Sequence, residues 1–401
     1  ESNGIFETQA TKTRWTANST GSATLYRYTG SVEAYKFFTD VPDAPEPTLL
    51  KDLHPHDRDK NIVFVKESHT YYVNGTPTLG SVTGLIHRFA QEFDADSIIA
   101  KMMKGSRWPR PGYLHDTVPI HVITALKSSH QTTMLADAFL HPICDEEEMC
   151  RLAQRLLATC PEYRGLIFHL DLSPAEIKQK WDDHRISAAN CGTWTHLAFE
   201  FHLNRCCLLE ESVELRMFIK YLSTLDGLSA YRTEWTIYGE DGHLAGSIDF
   251  VARTSSGDIV LFDWKRSKSL RSKHSNQFQT MLGPLQHLPD CGGWHDRIQL
   301  NCYNLLLEKY YGCNVTAMYV ACTHPDNSDK AFVDEVPNLY HETLAVMQDQ
   351  ASRAKERAFL EDPAGGTHIS EACRFTNVCL VYALQSLGFP VPLVRSGPFQ
   401  A

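Results

Sequence analysis

Three β-type runs follow one another closely near the middle of the chain and constrain its fold more than any other feature. They are Arg232 to Tyr238, Leu244 to Arg253 and Asp258 to Trp264. Glu240 to His243 separate the first two, and Ser255 to Gly257 separate the last two; both connections are strong turn signals. The pattern therefore predicts an antiparallel β-meander.

Acidic residues interrupt the apolar pattern of the second and third runs. Period-2 alternation in the second run places Ile248 and Phe250 on one face of a strand and Asp249 on the other. In the third run, Asp263 and Lys265 share a face. The opposite face of that run carries Val260, Phe262 and Trp264. If the two strands pair, Asp249, Asp263 and Lys265 meet at one end of the sheet.

Two aspartates and a lysine in this arrangement suit the hydrolysis of a phosphodiester. Hard oxygen ligands hold a divalent ion that polarises the phosphate and lowers the pKa of water, and a nearby cation orients water or stabilises developing charge. An Asp-x-Lys pair alone is a weak signal, because exposed strands often carry both residues. Asp263 and Lys265, however, follow three apolar residues and enclose Trp264, where unpaired charges are costly unless they serve a site. We predict that Asp249, Asp263 and Lys265 are catalytic.

A wider set of segments carries a resemblance to a known family. In order, GTWTHLAFE, RTEW, GSIDFVA, LFDWKRS and QLNCY resemble the RecB-type exonuclease branch of the PD-(D/E)XK nuclease superfamily. That branch includes the nuclease domains of bacterial RecB and AddAB, CRISPR-associated exonucleases and mitochondrial genome maintenance exonucleases. The resemblance covers about Trp181 to Pro325, and the earlier HTYYVNGTPTLGSVTGLI is similar to the strand and helix before the core in some members. It implies an α/β fold with a restriction-endonuclease-like core, in which helices flank a mixed central β-sheet.

The resemblance also implies roles for individual residues. It makes His196 a metal ligand together with Asp249 and Asp263, and Lys265 the catalytic lysine. The implied cofactor is Mg²⁺ or Mn²⁺. The first acid of the D-x-K motif is Asp rather than Glu, which the superfamily signature permits.

Two helical pairs and one strand residue are further candidates. Gln299 and Tyr303 match the family's Q-x-x-x-Y and would contact DNA or position the lysine. They are four residues apart, as are His196 and Glu200, so each pair shares a helical face. The alternatives are a helix that only packs onto the sheet and a solvated His–Glu pair. Glu234 of RTEW is a possible site residue, because related nucleases often carry a Glu on this strand, and an exposed strand Glu is the alternative.

A basic run leaves the predicted site directly. Lys265 to His274 contains no acid, and its Arg266, Lys268, Arg271 and Lys273 could follow a phosphate backbone, with Trp264 and Trp294 as stacking surface. A plain surface loop is equally compatible with the run. A second basic stretch, Lys101 to Arg110, is better explained as a solvated face. The net charge of -10 argues against a protein that coats nucleic acid by bulk electrostatics.

The pattern along the chain predicts four regions. Residues 1–60 form an extended or loosely attached arm, and residues 61–172 form a strand and helix segment with a helical insertion. Residues 173–330 form the nuclease core, and residues 331–401 form a C-terminal helical extension. Asn74-Gly75 predicts a hairpin turn, Ser81 to Met103 a helix, and Ser173 a helix cap. We expect Asn190 to Gly192 to interrupt the helix that begins after Ser173.

Composition excludes several other classes of protein. Apolar residues make up 43% of the chain, but no run approaches the roughly 18 residues that cross a bilayer, so we expect no membrane role and an intracellular protein. The 12 cysteines form no C-x-x-C pair and are expected to be reduced thiols. The late ones lack the close grouping of an iron–sulfur site. The 19 histidines form no H-E-x-x-H zinc motif.

The resemblance, rather than any charge pattern, implies the substrate. It predicts a metal-dependent deoxyribonuclease that trims single-stranded DNA ends or flaps as an exonuclease in replication, repair or recombination. The alternative is a non-catalytic nuclease-fold module that binds nucleic acid or scaffolds a repair, replication or mobile-element complex. The nucleus, the mitochondrion and the cytoplasm all remain open as compartments.

Overall fold

The computed structural model of the chain describes residues 11–17, 21–27, 49–141, 145–206, 212–241, 243–268, 274–327 and 330–361. The strands in these ranges are β1 (Thr11–Ala17), β2 (Gly21–Arg27), β3 (Ile62–Val65), β4 (Thr70–Val73), β5 (Thr76–Pro77), β6 (Gly80–Ser81), β7 (Leu228–Gly239), β8 (Leu244–Thr254), β9 (Ile259–Arg266), β10 (Val315–Thr323) and β11 (Phe332–Glu335). The helices are α1 (Leu50–Leu53), α2 (Val82–His87), α3 (Ala95–Lys104), α4 (Ile120–Lys127), α5 (His130–Leu140), α6 (Glu146–Thr159), α7 (Arg164–Ile167), α8 (Pro174–Leu203), α9 (Val213–Leu222), α10 (Gly292–Tyr311) and α11 (Tyr340–Glu361).

A mixed β-sheet built around the predicted meander forms the centre of the fold. β8 pairs antiparallel with β7 along its whole length, and antiparallel with β9 only from Phe250 to Arg253. β10 runs parallel to β9, and β11 runs antiparallel to β10. The short β6 runs parallel to the start of β8 at Leu244 and Ala245. The predicted meander and the predicted mixed α/β architecture are confirmed.

Helices cover both faces of this sheet. Ile259 and Leu261 of β9 pack into a core with residues of α2, α10 and α11. Val260, Phe262 and Trp264 pack into a second core with α8 and α9. Because side chains of a strand alternate between its faces, these two cores lie on opposite sides of the sheet. The result is a three-layer α/β/α arrangement.

The alternation predicted for β8 is wrong at Asp249. Ile248 lies in the first core and Phe250 in the second, although they are two residues apart. Opposite this point on β7, Thr233 pairs with Phe250 and Trp235 pairs with Ile248. Glu234 between them has φ of 43°, outside the extended region, so the strand pair is distorted here. The two acidic residues therefore face each other at an irregular point of the sheet.

Helix α8 is continuous where a break was predicted. It begins with the predicted capping box of Ser173 and Glu176 and runs without interruption through Asn190 to Gly192. A glycine costs only about 1 kcal/mol in a helix interior, and buried side chains on both sides of it, such as Ile177 and Phe199, outweigh that cost. The prediction of an interruption was therefore wrong.

The segment predicted as one helix from Ser81 to Met103 forms two. Ser81 caps α2 by accepting a hydrogen bond from Gly84 N at 3.0 Å, and Asp94 caps α3 by accepting one from Ser97 N. The Asn74-Gly75 turn is confirmed, since both residues have positive φ between β4 and β5. The cap at Asp94 starts a new helix inside the predicted range, which hydrophobic periodicity alone did not indicate.

The end of the predicted arm packs onto the sheet. Leu50 N donates to Asn204 Oδ1 at 2.8 Å, and Asp59 accepts hydrogen bonds from Arg232 Nη1 and Trp235 Nε1. Residues 49–60 thus differ from the loosely attached arm that we predicted, because buried polar contacts anchor them. Earlier in the arm, β1 and β2 pair as an antiparallel hairpin. Residues 1–10, 18–20, 28–48 and 362–401 lie outside the described residues.

Helices α4 to α7, called the inserted helices after the predicted insertion in which they lie, share an apolar core of their own, which includes Leu126, Ala153 and Ile167. Within the described ranges, no helix combines the length and the apolar character needed to span a membrane.

Candidate active site

The site lies at a gap in the strand pairing along one edge of β8. β7 occupies one edge of β8 along its length, so β6 and β9 share the other edge. β6 pairs there only up to Ala245 and β9 only from Phe250, which leaves Gly246 to Asp249 between them. In this gap the Asp249 side chain takes the place of a backbone carbonyl of β8. Its Oδ2 accepts a hydrogen bond from Trp264 N of β9 at 2.7 Å. The gap orients Asp249 toward residues of the flanking helices.

Three side chains from three elements meet in this gap with ligand atoms facing one another. They are His196 of α8, Glu234 of β7 and Asp249 of β8, and their ligand atoms lie within 4.8 Å of each other. His196 Nδ1 is 3.5 Å from Asp249 Oδ2 and 4.0 Å from Glu234 Oε1. One imidazole and two carboxylates suit a divalent cation such as Mn²⁺ or Mg²⁺. The structure thus brings together the predicted ligands His196 and Asp249 and adds Glu234, which we had predicted only as possible.

Electrostatics in the gap favour a bound cation. Burial, together with the nearby charges of Asp249 and Glu200, raises the pKa of Glu234 well above its usual range. Burial also raises the pKa of Glu200. The charge of Glu200 contributes to the raised pKa of Glu234, so this candidate lies near the cluster. Ser247 Oγ donates to Glu234 Oε2 at 3.1 Å and so orients this carboxylate. A divalent cation would relieve the crowding of negative charge, so these residues fit the metal that the fold implies.

Asp263 and Lys265 form a buried ion pair beside the cluster. Asp263 Oδ2 lies 2.7 Å from Lys265 Nζ, and the Asp263 side chain is only 3% exposed. Burial raises the pKa of Asp263 to about 8 against the opposing charge of Lys265, and the charges of Asp249 and Asp296 add to the rise. Burial alone would lower the pKa of Lys265, but the carboxylates of Asp263, Asp296 and Asp249 outweigh it and hold this pKa well above its usual range, so the lysine stays charged. We had predicted Asp263 among the metal ligands, and its nearest partner in the structure is this lysine.

Sequence reasoning missed Asp296. Its Oδ1 lies 3.5 Å from Lys265 Nζ, and its side chain is 14% exposed. A signal was available, because Asp296 precedes Gln299 by three residues and therefore shares a face of α10 with it. No part of the family pattern pointed to that position.

Gln299 and Tyr303 lie side by side on α10, as predicted. Gln299 Nε2 donates to Tyr303 Oη at 3.1 Å. Tyr303 packs directly on the backbone of β8, since a Cβ added at Gly246 would lie 2.6 Å from Tyr303 Cε1. Burial raises the pKa of the Tyr303 phenol well above its usual range, and the charges of Asp249 and Asp263 contribute. The pair therefore lies next to the acidic gap.

The described part of the basic run has partners within the protein. Arg266 Nε donates to the buried Glu214 Oε1 at 2.8 Å, on the α9 side of the sheet, and Lys268 pairs with the exposed Asp326. Arg271 and Lys273 lie outside the described residues. In the other basic stretch, the side chains of all four basic residues are exposed: Lys101, Lys104, Arg107 and Arg110.

The two tryptophans are less available for stacking than predicted. Trp264 is 2% exposed and lies in the core between the sheet and α8, so it offers no surface to a base. Trp294 is partly buried, with Arg297 stacked over its ring and its Nε1 bonded to His274 O. The apolar position of Trp264 within β9 accounts for its burial.

A mixed sheet between two helical layers, with an acidic centre and a lysine where its strands separate, is the arrangement expected of a restriction-endonuclease-like nuclease. A family model described as "PD-(D/E)XK nuclease superfamily" matches residues 144–380, which is more than half of the chain. The chain therefore belongs to the PD-(D/E)XK nuclease superfamily, as predicted.

Other comparisons add little. A solved structure titled "Crystal structure of SSO0001" is 14% identical over 34% of this chain and 56% of that chain. Its TM-score of 0.20 is too low to support any argument about this protein. The search of curated proteins found no match.

Proposed function

We propose that this protein is a divalent-metal-dependent nuclease that hydrolyses phosphodiester bonds of DNA, with Mg²⁺ or Mn²⁺ as its cofactor. The observation that carries the proposal is the cluster of His196, Glu234 and Asp249 beside the Asp263–Lys265 pair. Membership of the superfamily supports nuclease chemistry at this cluster. The residues supply both a cation site and a fixed positive charge.

Each group has a role in the proposed reaction. The imidazole of His196 and the carboxylates of Glu234 and Asp249 would hold the cation, and Asp263 borders it. When bound, the cation polarises the phosphate and favours ionisation of water. Lys265 stays protonated and stabilises the negative charge that develops on the phosphoryl oxygens. Overall, a water oxygen bonds to phosphorus, one P–O ester bond breaks, and the leaving oxygen takes up a proton.

The finer proposal is a RecB-type exonuclease that acts on single-stranded ends or trims flaps in replication, repair or recombination. It is supported by the ordered segments from GTWTHLAFE to QLNCY. The placement of Gln299 and Tyr303 beside the gap adds support, because the resemblance expects the Q-x-x-x-Y pair near the catalytic lysine.

End-labelled DNA tests both levels of the proposal. Linear single-stranded, duplex and flapped substrates, and a closed circular single strand, would be incubated with Mg²⁺, Mn²⁺ or EDTA. We expect cleavage with either metal, none with EDTA, and preference for free single-stranded ends over the circle. Efficient cutting of the circle would contradict exonuclease action while leaving metal-dependent hydrolysis intact.

Substitutions test whether this site is responsible. Lys265→Ala and Asp263→Ala should each lower the cleavage rate by at least roughly 1,000-fold, because charge stabilisation in a site of this kind is worth several kcal/mol. Circular dichroism would check that both variants remain folded. Full activity in either variant would refute the assignment, and DNA binding without cleavage by the wild-type protein under every metal would favour the non-catalytic alternative.

A further inference from the structure

Lys265 lies between two carboxylates that belong to different layers of the fold. Its Nζ is 2.7 Å from Asp263 Oδ2 on the same strand and 3.5 Å from Asp296 Oδ1 on α10. His196, Glu234 and Asp249 form the candidate cation site without Asp296. Asp296 thus contacts the lysine and stands apart from the cluster.

Asp263 and Asp296 differ in their other interactions. Asp263 is 3% exposed and interacts electrostatically with Asp249, Glu234 and Lys265 together. A cation among these carboxylates would compete with Lys265 for the charge of Asp263, because both are attracted to the same oxygens. The lysine then needs a second anchor to remain in place.

We propose that Asp296 is this anchor, a positioning residue that holds the Lys265 ammonium group while Asp263 serves the metal. This inference rests on the proposed function. It assigns to Asp296 a role that acts through Lys265 rather than through the metal or the DNA.

The residues on both sides of Asp296 make side-chain contacts with other parts of the fold, which suits a positioning role. His295 Nε2 lies 2.7 Å from Asp290 Oδ1 in the preceding loop. Arg297 donates two hydrogen bonds to the Asp334 carboxylate of β11, each of 2.9 Å. Such bidentate pairs restrict orientation as well as distance. These contacts tie the start of α10 to the preceding loop and to β11, and so support the placement of Asp296 beside Lys265.

Kinetics give the first test. In Asp296→Asn we expect kcat to fall about 10- to 100-fold, the usual range for groups that orient a catalytic residue, with little change in KM for DNA or in the half-saturating Mn²⁺ concentration. Asp296→Glu should recover part of the rate. Glu308→Gln, an exposed acid on the same helix, is the matched control and should behave as wild type. Glu234→Gln, which changes a proposed metal ligand, should weaken Mn²⁺ binding. An unchanged kcat in Asp296→Asn, or a loss of Mn²⁺ affinity as large as that in Glu234→Gln, would overturn the proposal.

Chemical labelling gives a second test that does not depend on nuclease activity. The rate at which an amine-reactive reagent modifies Lys265 would be followed by peptide mass spectrometry, with and without Mn²⁺. Loss of an ion-pair partner leaves the flexible lysine side chain more mobile and more accessible to the reagent, so labelling in Asp296→Asn should be several-fold faster, most clearly with Mn²⁺. Equal rates in Asp296→Asn and Glu308→Gln would contradict the anchor. If the wild-type protein cleaves no DNA, the proposed function fails, but the labelling rates still decide the role of Asp296.

Discussion

Arg266 and Lys268 follow the candidate catalytic lysine closely, yet their partners lie in different surroundings. The Arg266 side chain is 20% exposed and its partner Glu214 is 8% exposed. Lys268 and its partner Asp326 are 72% and 57% exposed. A buried pair leaves an uncompensated charge when one member is removed, whereas an exposed pair is solvated by water. The two basic residues should therefore affect the protein in different ways.

We predict that Arg266→Ala mainly destabilises the fold. Removal of the guanidinium leaves the Glu214 carboxylate buried without its partner, which should cost about 3 kcal/mol in the free energy of unfolding. Lys268→Ala, the matched control, should change that free energy by less than about 0.5 kcal/mol. Urea unfolding would measure both. If Arg266→Ala instead keeps its stability and binds DNA more weakly with a shallower salt dependence, Arg266 contacts phosphates.

The sequence allowed most residues of the site to be predicted, but not the contacts that these residues make with one another. His196, Asp249, Asp263 and Lys265 were predicted from alternation and the family pattern, and the structure places all four around one gap. Asp296 was missed because its contact with Lys265 is between a helix and a strand, and depends on how α10 packs on the sheet. The spacing within α10 places Asp296 on the face of Gln299, but it does not show that this face reaches Lys265.

At the scale of elements, α10 approaches β8 so closely that only a glycine fits between them. The space at Gly246 is filled by the Tyr303 ring, whose Oη would lie 3.0 Å from an added Cβ. On the paired β6, a Cβ at Gly80 would meet no atom within 4 Å. These two glycines form a matched pair, because they lie in adjacent strands and differ in what surrounds them.

We predict that Gly246→Ala displaces Tyr303 and with it the hydrogen bond from Gln299. Overpacking of this kind usually costs about 1–3 kcal/mol, and the displacement of Tyr303 beside the site should lower the cleavage rate roughly tenfold. Gly80→Ala should leave both properties near wild type. Thermal unfolding and initial cleavage rates would check the pair, and an unchanged rate in Gly246→Ala would show that Tyr303 has no role at the site.

Elements with strong end signals could be predicted, while local irregularities could not. The Ser173 capping box and the turns of the meander fixed where α8, β8 and β9 begin or end. We predicted a break in the helix at Asn190 to Gly192, but the helix is continuous there. We also predicted that Ile248 and Phe250 share a face, but they lie on opposite faces of the sheet. In both cases tertiary packing outweighs local preference, through burial along α8 and through the left-handed Glu234 opposite β8.

At the scale of the whole molecule, the inserted helices connect to the nuclease core near one buried carboxyl group. Trp108 packs with Ile99 and Ile177 of α3 and α8, and its Nε1 donates to Asp171 Oδ2 at 2.5 Å. Asp171 follows Leu170, which lies in the core of the inserted helices. The sequence predicted a helical insertion here but gave no indication of this junction. Trp108 and Asp171 lie 63 residues apart, on either side of helices α4 to α7 in the sequence.

Asp171 should make the stability of the protein depend on pH. Burial raises the pKa of this carboxyl from 3.8 to about 6, although the Trp108 hydrogen bond and the charges of Arg164 and His115 oppose the shift. The side chain is 3% exposed, and among the described residues its Oδ1 has no hydrogen-bond partner. Because the folded pKa lies above the unfolded one, the contribution of Asp171 to stability is complete below about pH 4 and is lost as pH rises through about 6.

We therefore predict that Asp171→Asn changes the pH profile of unfolding in a defined direction. The amide cannot ionise, so the free energy of unfolding of the variant relative to wild type should increase by up to about 3 kcal/mol between pH 4 and pH 7. Urea titrations at intervals across that range would measure the difference. The exposed Asp116→Asn is the control and should show no comparable rise. A difference that stays constant with pH would mean that Asp171 ionises normally at the junction, and would contradict the prediction.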